Sequence, residues 1–111
     1  MPPIDFSEIF KQLKDQVIDL AKLTVNKFKD EAIADAHKLL DESKEDLERW
    51  TKLLAEGSIS SSEFEFLAAN GIGLFQMSLL QNTILAKVKI DQFRNSVLNL
   101  IINTIFDKII S

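Results

Sequence analysis

The chain contains no cysteine and no tyrosine, and only one histidine, two prolines and three glycines. Without cysteine there is no disulfide framework, no thiolate nucleophile and no cysteine-ligated metal site, and the redox compartment is not indicated. Glycine and proline are the residues that most often interrupt helices. Neither occurs between residues 4 and 56, so this half of the chain is predicted to form one uninterrupted helix.

A cluster of basic residues is also missing from the linear sequence. The chain carries 13 Lys and Arg against 17 Asp and Glu, for a net charge of −4. Because clustered basic side chains drive nucleic-acid binding by releasing counterions, nucleic acid is not an expected partner. The start, MPPIDFSEIF, lacks the basic and continuous apolar regions of a secretory signal. We therefore expect a cytoplasmic protein.

The length and the distribution of charge indicate one domain, residues 1–111, with two unlike halves. A chain of 111 residues with 46% apolar content is sufficient for a single hydrophobic core. Residues 1–57 hold 9 basic and 13 acidic side chains, whereas residues 58–111 hold 4 of each. The first half is therefore acidic and solvated, and the second is nearly neutral and rich in Leu, Ile and Phe.

Apolar residues in the first half recur at helical spacing. Steps of three and four residues separate Phe6, Phe10, Leu13, Val17, Leu20 and Thr24. A second series, with a period of about 11 residues, continues through Phe28, Ala32, Ala36, Leu39, Ser43, Leu47, Trp50 and Leu54. The change of period near Phe28 indicates either a new packing partner or ordinary scatter along one helix. The uninterrupted sequence favours a single helix from about residue 5 to residue 56.

A short loop at residues 57–60 is predicted to reverse the chain. Gly57 follows the last periodic residues, where a glycine relieves left-handed strain at a helix C-terminus. Ser60 and Glu63 have the S-x-x-E spacing of a capping box, and Ile59 and Phe64 flank it as a hydrophobic staple. A loop this short makes the next helix, about residues 61–110, run back along the first.

The segment LLAEGSISSSEFEFL, residues 53–67, is similar to the short helix-loop-helix of the SHOCT type. The similarity lies in its glycine, its isoleucine, its Glu-Phe pair and the flanking leucines. This resemblance implies a role in oligomerisation. It is confined to these residues at mid-chain, whereas such motifs usually lie near a chain end, and we assign no family from it.

The second helix contains one weak point and one broad apolar face. Asn70, Gly71 and Gly73 lower helix propensity, which indicates either a kink at residues 70–73 or a close approach by a neighbouring backbone. Further on, a polar strip consists of Gln92, Ser96, Asn99, Asn103 and Asp107. The opposite arc is wider than one partner helix can cover. We expect a self-association face made of Leu98, Ile101, Ile102, Ile105, Phe106 and Ile109.

Residues 66–86 carry no charge and are long enough to cross a bilayer. They also include six polar side chains that would need partners in hydrocarbon: Asn70, Gln76, Ser78, Gln81, Asn82 and Thr83. The polar face offers few Lys or Arg to hold a helix flat on an anionic membrane. A membrane partner is therefore not expected, although a neutral lipid surface stays open.

Catalytic and metal-binding patterns are sparse. His37 has a carboxylate four residues on, at Asp41, but lacks the E-x-x-H spacing of carboxylate-bridged metal helices, so we interpret it as a surface histidine. The acidic run of residues 41–48 lacks the glycine turn and ligand order of a calcium loop, and a solvated helix face explains it better. The sequence shows no phosphate loop and no nucleophile with a base. We expect no catalytic residue, metal or cofactor.

These observations predict an all-α protein: a long antiparallel helical hairpin that self-associates, most simply as a dimer, into a helical bundle. The alternative is a monomeric four-helix bundle with breaks near residues 26–30 and 70–73. A lone hairpin would leave half of each apolar stripe in water, so burial would not offset the entropy of ordering the chain. The expected function is a non-enzymatic structural or protein-interaction module. The alternative function is binding of a lipid, a granule surface or an apolar ligand.

Overall fold

The computed structural model describes residues 5–72 and 87–110, and within these ranges the protein is all-α, as the sequence predicts. A 3₁₀ turn, Asn26–Phe28, separates the first two of five α-helices. The α-helices are α1 Phe6–Thr24, α2 Lys29–Glu42, α3 Lys44–Ala55, α4 Ser61–Gly71 and α5 Lys87–Ile110.

The prediction of one uninterrupted helix from residue 5 to residue 56 is wrong, because α1 ends at Thr24. Val25 leaves helical geometry with φ −133° and ψ 45°, and the Phe28 N–H donates to the Val25 carbonyl at 2.8 Å in a 3₁₀ turn. β-branched Thr24 and Val25 and the following Asn26 have lower helix propensity than Ala or Leu. The Thr24 hydroxyl also donates to the Leu20 carbonyl at 2.7 Å. This break lies close to residues 26–30, where the alternative four-helix architecture has its first break.

A second, milder departure occurs at Ser43, between α2 and α3. The Ser43 N–H donates to the Leu39 carbonyl at 3.0 Å, and the Ser43 carbonyl accepts from the Leu47 N–H at 2.8 Å. The helical ladder therefore continues through Ser43, whose own φ of −99° and ψ of 3° bend it. α2 and α3 form one kinked rod.

The helices close around α1 in a single chain. α1 packs against α2 and α5, α3 packs on α4, and α5 also contacts α3 and α4. The long axis of the molecule is 46 Å, far short of the roughly 75 Å of the predicted hairpin of long helices. Over the described residues, the chain by itself has the architecture of a four-helix bundle, with α2–α3 as one of its rods.

The core is built from the apolar stripes that the sequence predicts. In the first half, the buried members of the two series are Phe6, Phe10, Leu13, Val17, Ala32, Ala36, Leu39, Ser43, Leu47, Trp50 and Leu54. α5 contributes Ile90, Phe93, Val97, Ile101, Ile102 and Ile105. The polar strip of α5 lies on the outside, where Gln92, Asn99, Asn103 and Asp107 are exposed.

The loop after α3 has the geometry that its sequence indicates. Gly57 has φ +77°, its N–H donates to the Leu54 carbonyl at 3.1 Å, and the Ser58 N–H donates to the Leu53 carbonyl at 2.9 Å. This pair of bonds is a Schellman motif. Both bonds of the capping box follow, because Ser60 Oγ accepts from the Glu63 N–H and Glu63 Oε1 accepts from the Ser60 N–H, each at 3.1 Å.

Gly71 is the last residue of α4, and its bare Cα lies against the indole of Trp50. A Cβ at this position would overlap Trp50 Cη2 and come within 3.1 Å of Cζ2. A close approach therefore exists at Gly71, but its partner is the Trp50 side chain and not a neighbouring backbone, and the alternative of a kink at residues 70–73 falls partly outside the described residues. Gly73 lies outside the described residues.

We expect Ser60→Ala to lower the free energy of unfolding by about 1 kcal/mol, because the Glu63 N–H loses its acceptor. Ser58→Ala is the matched control, since Ser58 is exposed and contributes only its backbone N–H to the loop. Urea denaturation followed by circular dichroism measures both. Equal losses for the two variants would contradict the assigned helix start.

Gly71→Ala should destabilise the fold by about 1–3 kcal/mol through overpacking, although alanine is the better helix former. In a Trp50→Phe background the penalty should shrink, because phenylalanine lacks the outer indole ring. A double-mutant cycle measured by urea denaturation gives this coupling. A stabilising Gly71→Ala, or zero coupling, would contradict the close approach.

Candidate functional site

The residues predicted to form a self-association face lie largely inside the single chain. Ile101 and Ile105 are fully buried and Ile102 is 8% exposed. Leu98, Phe106 and Ile109 are partly buried and pack against the same core. These side chains are therefore not a free surface in this fold. The preferred hairpin had no turn near residues 25–28, whereas the alternative four-helix architecture placed a break near residues 26–30; this turn lets helices of the same chain close around α5.

A contact between two aromatic rings shows how α5 is covered within one chain. The expectation was that one row of the α5 arc would need a second chain to cover it. Instead the Phe106 ring lies 5.7 Å from the Phe64 ring, centroid to centroid, at an interplanar angle of 52°. α4 of the same molecule thus takes the place assigned to a partner. The wide apolar arc of α5 is therefore covered, but by helices of the same chain.

His37 is not the surface histidine that the sequence suggested. It is half-buried, and its Nε2 lies 3.0 Å from the Lys14 carbonyl of α1. A carbonyl can only accept, so this contact requires the proton on Nε2. Asp41, the carboxylate four residues on, pairs with Lys14 Nζ at 2.6 Å. Both side chains of α2 therefore hold α1, and neither is arranged with the other as an acid–base pair.

The acidic run at residues 41–48 lies on the helix surface, and two of its carboxylates form ion pairs. Besides the Asp41 pair, Asp46 accepts from Arg49 at 2.9 Å. In residues 5–72 and 87–110 there is no group of three or more His, Asp or Glu side chains that could hold a metal ion.

A polar cleft between α1 and α5 is the largest of the described surface depressions, at about 310 Å³. Its lining residues are Glu8, Lys11, Gln12, Asp15 and Lys108. The two carboxylates and two lysines balance in charge, and the cleft has neither a histidine nor a hydroxyl nucleophile. Its composition fits a solvated seam between two helices rather than a catalytic site.

The outer face of α4 exposes apolar surface. Phe66 is 68% exposed and borders a groove of about 290 Å³ that is also lined by Ser62, Glu63 and Leu67. The Asn70 side chain donates to the Phe66 carbonyl at 2.8 Å, so it is turned onto its own helix. We call this surface the α4 face, defined by Ser62, Glu63, Phe66 and Leu67.

A second exposed apolar surface lies where α1 ends and α5 begins. Leu23 is 85% exposed and Val88 is 66% exposed. A groove of about 260 Å³ brings Leu23, Thr24, Val25, Asn26, Lys27 and Lys89 together. Sequence reasoning missed this surface because its parts are separated by about sixty residues and none forms a local motif. We call it the basic end, defined by Leu23, Lys27, Val88 and Lys89.

Within residues 5–72 and 87–110, no helix combines the length and the apolar character needed to cross a bilayer. The uncharged stretch that raised this question, residues 66–86, falls only partly in this range. Its residues 73–86 lie outside the described part of the chain.

His37→Ala should lower the free energy of unfolding by about 1 kcal/mol, because the hydrogen bond between α2 and α1 is lost at a half-buried position. Lys38→Ala is the matched control, since Lys38 is the exposed neighbour on the same helix. Urea denaturation measures both variants. A His37→Ala protein as stable as the Lys38→Ala protein would show that the contact with the Lys14 carbonyl does not stabilise the bundle.

No family model matches the chain, and neither the curated proteins nor the solved structures yield a match.

Proposed function

We propose that this protein is a non-enzymatic helical interaction module that associates with a second copy of itself through the α4 face. The observation that carries the proposal is the exposure of Phe66, a large aromatic side chain held on an ordered helix. Exposed apolar surface beside a groove is the usual mark of a contact site. The proposal keeps the self-association expected from the sequence but moves it from α5 to α4.

The α4 face has the features that a contact between identical copies requires. A twofold pair places the same patch on both sides, so a protruding side chain must find a recess in its own surface. Phe66 protrudes, and the groove beside Leu67 offers the recess. Each ring that moves from water into such a groove contributes about 1.5–3 kcal/mol. Two rings by themselves only begin to offset the cost of association, which is at least about 4 kcal/mol; burial of the groove walls at Leu67 must supply the rest, so we expect a weak dimer with a Kd in the millimolar range.

The charges on α4 give the contact a salt dependence. The helix carries Glu63 and Glu65 and no basic residue. Two copies of the face therefore bring like charges together, and added salt should screen their repulsion and strengthen the dimer.

The non-enzymatic part of the proposal is supported by how the reactive groups are placed. The single histidine contacts a main-chain carbonyl, and Asp41 and Asp46 form ion pairs with Lys14 and Arg49. The polar cleft is lined by carboxylates, amines and one amide, with no histidine or hydroxyl beside them. A function that depends on surface contacts needs only the exposed side chains that this fold presents.

Sedimentation velocity and light scattering from micromolar to millimolar concentration test the dimer. The wild-type protein should shift from monomer to dimer, and Phe66→Ser should weaken the association by at least about tenfold while leaving the melting temperature unchanged. Leu23→Ser is the matched control, because it removes an equally exposed apolar side chain from another surface. A wild-type protein that stays monomeric throughout, or a dimer that Leu23→Ser dissociates and Phe66→Ser does not, would overturn the proposal.

A further inference from the structure

The basic end combines charge with exposed apolar surface. Residues 22–31 and 87–90 together contain five lysines and two carboxylates, in a chain whose net charge is −4. The lysines are Lys22, Lys27, Lys29, Lys87 and Lys89, and the carboxylates are Asp30 and Glu31. All of these side chains except the half-buried Lys29 are exposed. The fold thus gathers a positive region that the linear sequence does not show.

Apolar side chains stand among these lysines. Leu23 is the most exposed large apolar residue in the described part of the chain, and Val88 lies between Lys87 and Lys89. Leu23, Lys27 and Lys89 line the same groove. An exposed aliphatic side chain that shares a groove with two lysines matches an interface whose interior is apolar and whose surface is negative.

We infer that the basic end docks on the surface of an anionic lipid bilayer. Lysines at such a surface are attracted by its negative potential, while Leu23 and Val88 enter the boundary between headgroups and acyl chains. This binding is separate from the proposed self-association and uses a different face of the molecule.

The distribution of the remaining charge orients the protein on the bilayer. α2 starts at the basic end with Lys29 and ends near the acidic run at residues 41–48. That run lies about 20 Å away along the helix axis. The bilayer therefore attracts the basic end and repels the acidic run, which lies about midway along the molecule and stays in solution.

The exposed side chains favour a bilayer over nucleic acid as the anionic partner. Proteins that bind single strands stack bases on aromatic side chains. Among the described residues of the two segments that form the basic end, 22–31 and 87–90, the one aromatic side chain, Phe28, is half-buried. Point charges with aliphatic wedges suit a fluid headgroup layer.

Co-sedimentation of the full chain with vesicles tests the inference. Vesicles of phosphatidylcholine mixed with phosphatidylserine should bind the protein, and vesicles of phosphatidylcholine alone should not. Added salt should weaken the binding, whereas it strengthens the proposed dimer. Lys27→Gln with Lys89→Gln should reduce binding by on the order of tenfold or more, and Leu23→Ser with Val88→Ser should reduce it as well.

Lys38→Gln with Lys52→Gln is the matched control, because it makes the same change in net charge at exposed positions of α2 and α3. This pair should retain binding, and so should Phe66→Ser, which separates failure of this inference from failure of the proposed function. All substituted side chains are exposed, so unchanged melting temperatures should verify folding. Binding to neutral vesicles with equal strength, equal losses for both lysine pairs, or no binding at all would overturn the inference. Tighter binding to duplex DNA that the Lys27/Lys89 pair abolishes would identify nucleic acid as the partner instead.

Discussion

The packing of α2 back onto α1 is the interaction on which the rest of the bundle depends. To make it, the chain gives up helical hydrogen bonding at Val25–Phe28 and retains a 3₁₀ turn. Burial offsets this loss, because Ala21, Val25, Ala32 and Ala36 are all at or below 2% exposed. Alanines on the facing sides let the two helices approach closely. The His37 contact with the Lys14 carbonyl and the Lys14–Asp41 ion pair then fix their register.

With α2 packed on one side of α1, the other apolar side of α1 packs against α5. The Thr104 hydroxyl donates to Gln16 Oε1 at 2.9 Å across this contact. α5 is apolar over a wide arc, so it also receives α3 and α4, with Phe64 against Phe106. Because this wide face is covered internally, the described residues expose only three large apolar side chains. That is why both proposals rest on a few exposed residues, Phe66 on one surface and Leu23 with Val88 on the other.

The two surfaces differ in charge, and this difference decides what each can contact. The α4 face has carboxylates at its edge and suits a second copy only where burial of Phe66 exceeds like-charge repulsion. The basic end has lysines around aliphatic side chains and suits a negative surface. Salt acts in opposite directions on the two contacts. A single protein could therefore associate with itself and with a bilayer without either contact occupying the other's residues.

The features that could be predicted from the sequence are local or periodic. Gly57, Ser60 and Glu63 act within a few residues of one another, so their spacing alone predicts the loop and the second helix start. The apolar stripes and the width of the α5 arc follow from helical periodicity, which needs no knowledge of partners. The all-α class follows from the same two sources.

The sequence left the break near Val25 as one of two alternatives, and the tertiary structure selected it; the partner of His37 and the basic end are visible only in the fold. No glycine or proline marks the break: β-branched Thr24 and Val25 weaken the helix there, and the burial gained when α2 meets α1 favours the turn. The Lys14 carbonyl lies 23 residues from His37, and Lys27 and Lys89 belong to opposite halves of the chain. The tertiary structure also shows that helices of the same chain cover α5. The sequence could not predict this, because an apolar face requires burial but does not specify which helix supplies it.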